Sequence, residues 1–60
     1  MKSVKTIIRQ YDKVILKTGE EATIAEVYEK GVAYEADIRD GDDYRIELIS
    51  QDDILSLRDQ

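Results

Sequence analysis

From Lys13 to Leu57 apolar and charged residues alternate in short runs broken by glycine-bearing segments, the two-residue period of half-buried strands. Lys13–Lys17 sets Val14 and Leu16 on one face and Lys13, Ile15 and Lys17 on the other, and predicts a first strand. Thr18-Gly19-Glu20-Glu21 reads as a turn and Ala22–Tyr28 as a second strand. Glu29-Lys30-Gly31 reads as a turn that uses glycine for a positive φ, and Val32–Ile38 as a third strand. Arg39-Asp40-Gly41-Asp42-Asp43 carries the Asp-Gly hairpin signal. Tyr44–Ser50 follows as a fourth strand, with Tyr44, Ile46 and Leu48 alternating against Arg45 and Glu47.

Ser50-Gln51-Asp52-Asp53 predicts a single helical turn, in which the serine hydroxyl and the aspartate three residues later cap exposed amides reciprocally. Ile54–Leu57 then forms a fifth strand. Ahead of all this, Val4, Ile7, Ile8 and Tyr11 fall at i, i+3, i+4 and i+7, the spacing of one helix face, although β-branched residues are poor helix formers. A short helix or helical turn over 3–11 is the expectation. Four meandering strands, a one-turn helix and a short last strand make the fold class mostly β, an SH3-like five-stranded small barrel, as a single domain over residues 1–60 with residues 1–11 as an extension.

A two-residue loop at Lys30-Gly31 places Val27 opposite Tyr34 and Ala25 opposite Ala36, a continuous apolar face, and sets Glu26 against Glu35. Like charges directly opposite are destabilising. Either the loop is longer by one bulged residue or the pair faces water, and both alternatives stay open here.

The segment 12–38 also resembles a known pattern: Asp-x-Val-x-Leu, then Gly-Asp-x-Gly-Thr-Val-x-x-Val-Tyr-x-x-Gly-x-Ala-Tyr-Glu-Val-Glu-Phe. The chain supplies Asp12, Val14 and Leu16, then Gly19, Glu20, Ala22, Thr23, Ile24, Val27, Tyr28, Gly31, Ala33, Tyr34, Glu35, Asp37 and Ile38. In these residues it is similar to a family of small bacterial proteins without an established activity. It departs from them in lacking a proline-containing loop between the first two strands and in carrying Ala22 where the pattern has glycine. The resemblance implies an SH3-like fold and a bacterial or phage origin, and no activity.

Length and composition narrow the function classes. At 60 residues the core is small, and cores of this size rarely supply more than about 3–5 kcal/mol, so a regular fold or an oligomer contact is expected. The chain has neither cysteine nor histidine, which removes disulfides, thiolate chemistry and a structural zinc site, and suits a cytoplasmic setting. Residues 1–10 do not read as a signal peptide and no segment reads as a membrane span. Ser3, Ser50 and Ser56 have no histidine to act as base, and a barrel this small leaves little room for a substrate, so no enzyme and no cofactor are expected. Asp37, Asp40, Asp42 and Asp43 invite a calcium reading, but Arg39 falls where a second ligand is needed, so a solvated turn and no metal are expected.

Charge supplies the remaining signal. The net charge is −5, yet residues 1–17 hold five cations against one acid and residues 18–60 four cations against thirteen acids. One reading pairs a basic strand with acidic neighbours; the other makes the acids a docking face for a basic partner. On the second reading Glu26, Tyr28, Tyr34, Glu35, Asp37, Asp40, Asp42 and Asp43 are the candidate partner-binding residues of a non-enzymatic acidic interaction protein. Tyr28, Tyr34 and Tyr44 could alternatively be sheet packing or an aromatic groove for a proline-rich peptide. A further version is a phage or mobile-element inhibitor, of the anti-restriction, anti-CRISPR or antitoxin kind, that covers a basic nucleic-acid-binding surface. A nucleic-acid-binding barrel using Lys13 and Lys17 is the remaining alternative, disfavoured because acidic strands repel phosphates. Self-association through the apolar residues at Val4, Ile7, Ile8 and Tyr11 is expected if they do not dock on the barrel.

Overall fold

The computed structural model describes residues 7–58, in which five antiparallel strands form one curled sheet, a half-barrel consistent with a small SH3-like barrel. In chain order these are β1 (Lys13–Leu16), β2 (Glu21–Glu29), β3 (Ala33–Asp40), β4 (Asp43–Ser50) and β5 (Ile54–Leu57), with a single 3₁₀ turn over Gln51–Asp53 before β5. The order across the sheet is β4-β3-β2-β1-β5, so β4 and β5 are its two edges.

Alternation decides the inside. Val14 and Leu16 of β1, Ala22 and Ile24 of β2, Tyr34, Ala36 and Ile38 of β3, and Ile49 of β4 are buried on the concave face, and Ile8 joins them from outside the sheet. Tyr34 is the largest of the fully buried side chains, and its hydroxyl donates to Gln51 Oε1 of the 3₁₀ turn, satisfying the one polar atom the ring carries inward. That turn is closed as its residues suggest, with the Asp53 carboxylate accepting from the Ser50 N–H at 3.0 Å and the Ser50 hydroxyl at 3.3 Å.

The apolar residues of β2 change phase, from Ala22 and Ile24 to Val27, and two bulges absorb the change. Ala25 and Tyr28 are the extra residues, so Ile24 pairs with Ala36, Glu26 with Glu35 and Val27 with Tyr34. The expected pairing of Ala25 with Ala36 is therefore corrected: a regular ladder would turn Glu26 into the core, and the bulge at Ala25 turns Val27 there instead. The loop is longer than two residues, running from Glu29 to its partner Ala33, and the extra residue is recovered at Tyr28. Both alternatives for the Glu26–Glu35 pair thus hold at once, a bulge and a water-facing pair.

The helix expected over 3–11 is not present in its described part. Residues 7–9 are extended or irregular and Gln10-Tyr11 form a turn, with Tyr11 at φ 74°; residues 3–6 lie outside the described residues. Pairing with β2 outcompetes the helix: the Tyr11 N–H donates to Ile24 O at 2.6 Å, the Ile24 N–H to Asp12 O at 2.8 Å, and Gln10 Nε2 to Ala25 O at 3.0 Å. The segment thereby satisfies the carbonyls that the β2 bulge exposes. Its apolar stripe is split, because Ile8 is 4% exposed while Ile7 and Tyr11 are 54% and 73% exposed.

Gly31 sits at φ 77° in the β2–β3 loop, with nothing near the position of a Cβ, so only backbone strain opposes a side chain there. Gly31→Val is expected to destabilise the fold by about 1–2 kcal/mol, read as a lower Tm by roughly 4–8 °C per kcal/mol. Thermal melts of the two proteins check it.

Candidate interaction surface

The sheet has a concave face that holds the core and a convex face that meets water, and register assigns each candidate residue to one of them. On the convex face Glu26 lies opposite Glu35, which lies opposite Leu48; Thr23 lies opposite Asp37, which lies opposite Ile46; and Arg39 lies opposite Tyr44. The Tyr28 hydroxyl donates to Glu35 Oε1 at 2.9 Å. That bond holds the Tyr28 phenol above its ordinary pKa, because ionising it would set a phenolate against a carboxylate.

Tyr34 is removed from the candidate surface. It lies in the inward phase of β3, between Val27 and Ile49, with none of its surface exposed. Asp40 also departs from the group, since it shares the inward phase of β3 and meets Arg45 rather than the convex acids. Asp42 and Asp43 are exposed at the β3–β4 turn, the opposite end of β3 from Glu35. Asp37 lies between the two ends in a depression lined by Lys13, Arg39 and Arg58 as well as Glu21 and Tyr44, and its Oδ1 is buried without a hydrogen-bond partner. The eight residues therefore do not form one acidic patch. Glu26, Tyr28 and Glu35 form a cluster, Asp37 is flanked by cations, and the turn acids stand apart.

The basic first strand is distributed in the same way. Lys13 lines the depression around Asp37, whereas Lys17 lines a separate groove with Glu20, Arg45, Glu47 and Asp53. Arg58 pairs with Glu21. Among the described residues no group of three or more acidic side chains is placed to hold a metal ion. None of the helices in the described residues is long and apolar enough to cross a membrane.

Two features lay outside the sequence reading. Tyr44, Ile46 and Leu48 face outward, 61%, 63% and 67% exposed, although their alternation with Arg45 and Glu47 has the form of a half-buried strand. The two-residue Gly41-Asp42 turn explains this, since pairing Asp40 with Asp43 forces Arg45 opposite Ile38 and Glu47 opposite Ala36 on the inward side. Counting residues across that turn was the signal available. The second feature is Arg45, whose guanidinium reaches both Glu20 oxygens at 3.1 Å, Glu47 Oε2 at 2.7 Å and Asp40 Oδ2 at 3.3 Å. It ties the β1–β2 turn to β4 across the open side of the half-barrel.

No protein family, characterised protein or solved structure matches the chain. The surface is accordingly read from its own chemistry.

Hydrogen bonds from Arg45, and then from Thr18, hold the Glu20 carboxyl below its ordinary 4.5. A depressed folded-state pKa contributes stability above the unfolded value, and that contribution is lost as pH falls through the folded value. Urea unfolding between about pH 7 and about pH 2 should show an acid-side loss of stability that is smaller in Arg45→Gln. Equal acid dependence in the two proteins would remove Glu20–Arg45 as its source.

Proposed function

We propose that this chain is a non-enzymatic interaction protein that binds a protein partner with a basic surface through the convex face around Glu26 and Glu35. The observation that carries this reading is the placement of Glu26 directly across from Glu35 with no salt-bridging cation among the described residues. Directly opposed like charges cost stability, so folding gains nothing from them, whereas a lysine or arginine presented by a partner would convert the repulsion into two charge-assisted hydrogen bonds. Tyr28 fixes one of the two carboxylates in place through its hydroxyl. Leu48, next to Glu35 in the same row, adds an apolar flank of the kind found at the centre of interfaces.

The chemistry needed is recognition alone. An inhibitor of a nucleic-acid-binding protein is the special case in which the partner's basic surface is also its nucleic-acid site, with carboxylates standing where phosphates would lie.

The double variant E26Q/E35Q separates binding from folding. The free protein is expected to gain about 0.2–1 kcal/mol of stability as the like-charge pair is lost. Affinity capture with the wild type should return a basic protein whose association weakens with salt, and the double variant should not retain it. A captured partner that is neutral or acidic, or one held equally by both proteins, would overturn the reading.

A further inference from the structure

The two edges of the sheet are not equivalent. β5 is four residues long and its pairing with β1 is interrupted by a register shift at Ile15/Leu16, a common way of keeping an edge from recruiting another strand. β4 is eight residues long, pairs with β3 in an unbroken register from Asp40–Asp43 to Ala33–Ser50, and contains no proline. No strand among the described residues pairs with its other side. It also carries three large apolar side chains in a row on the convex face, Tyr44, Ile46 and Leu48, each more than half exposed.

Charged residues on an edge strand ordinarily keep copies apart, because a two-fold axis sets each charge near its own image. The charges of β4 have the opposite consequence. Arg45 and Glu47 lie two residues apart on the same face, one on each side of Ile46. In an antiparallel pair of β4 strands with its two-fold axis at Ile46, Ile46 meets Ile46 of the second copy, Tyr44 meets Leu48, and Arg45 meets Glu47. Apolar faces apolar on the convex side, and cation faces anion on the other. Moving the axis by one residue sets Arg45 against Arg45 or Glu47 against Glu47, and moving it by two sets Ile46 against Asp42 or Ser50, so charge and apolar matching together select one register.

We propose that β4 is a homodimerisation edge, at which a second copy of this chain adds its own β4 antiparallel in the register centred on Ile46, giving a continuous ten-stranded sheet. The occupant is a second copy rather than an unrelated strand because the charge pattern is complementary to itself. The four charges at the centre, two Arg45 and two Glu47, alternate in sign around the axis. The expectation holds whatever the Glu26–Glu35 cluster binds. The dimer would place two copies of that cluster on one convex surface, giving a partner two equivalent sites.

The chain has no cysteine, so a single introduced thiol reports the register. Directly opposed residues in antiparallel strands have Cα atoms about 4.5–5.5 Å apart, within disulfide range. Ile46→Cys should oxidise to a covalent dimer, while Leu55→Cys on the β5 edge should stay monomeric under the same conditions. Sedimentation from about 5 μM to about 500 μM should show the wild type shifting from monomer to dimer mass, and Ile46→Lys should weaken this by about tenfold or more while keeping its circular dichroism. The single Glu47→Arg sets cation against cation across the axis while leaving the Arg45–Glu20 contact in place, and should not dimerise. A wild type that stays monomeric throughout, preferential cross-linking at position 55, or self-association unaffected by Ile46→Lys would overturn the proposal.

Discussion

The inward phase of β3 is the constraint on which the rest of the molecule depends. Tyr34, Ala36 and Ile38 are at or below 1% exposed, and β3 is paired to β4 along its whole length and to β2 from Ala33 to Ile38. A sheet with one buried face has no freedom of register once a central strand commits three side chains to the core, because a slip of one residue turns all of them to water. The neighbouring strands must then adapt. β2 does so with bulges at Ala25 and Tyr28, and β4 by sending its apolar residues outward.

These adaptations create the surface. The bulge that turns Val27 inward leaves Glu26 on the convex face beside Glu35, and the second bulge brings Tyr28 to within a hydrogen bond of Glu35. The two-residue turn that keeps β4 in step with β3 exposes Tyr44, Ile46 and Leu48 and turns Arg45 inward toward Glu20. The like-charge pair, the apolar row and the ion-pair network are thus three results of one register. Arg45 in turn limits how far the sheet opens, since it ties β4 to the turn that precedes β2 with a two-pronged contact to Glu20.

A core of nine buried side chains among the described residues leaves a thin margin for such compromises. An exposed apolar row on an edge strand and an opposed carboxylate pair both run against what stability alone would select, and two such departures on one convex face are where an interaction surface is expected.

The sequence by itself determined the strands, the three glycine-bearing turns and the capped turn at Ser50–Asp53, because each rests on local chemistry: a two-residue period, a positive φ at Gly31 and Gly41, and a serine three residues before an aspartate. It also set Glu26 opposite Glu35. It placed Tyr34 on an apolar face with Val27 yet also offered it as a surface contact, it expected a helix or helical turn over 3–11, and it left open which face of β4 is buried. Those were decided by the tertiary structure. Periodicity states that two faces differ without stating which one meets the core, and that choice is made by partner strands: Val27 and Ile49 enclose Tyr34, the open ladder of β2 captures Tyr11 and Asp12, and the Gly41-Asp42 turn hands the phase of β3 to β4.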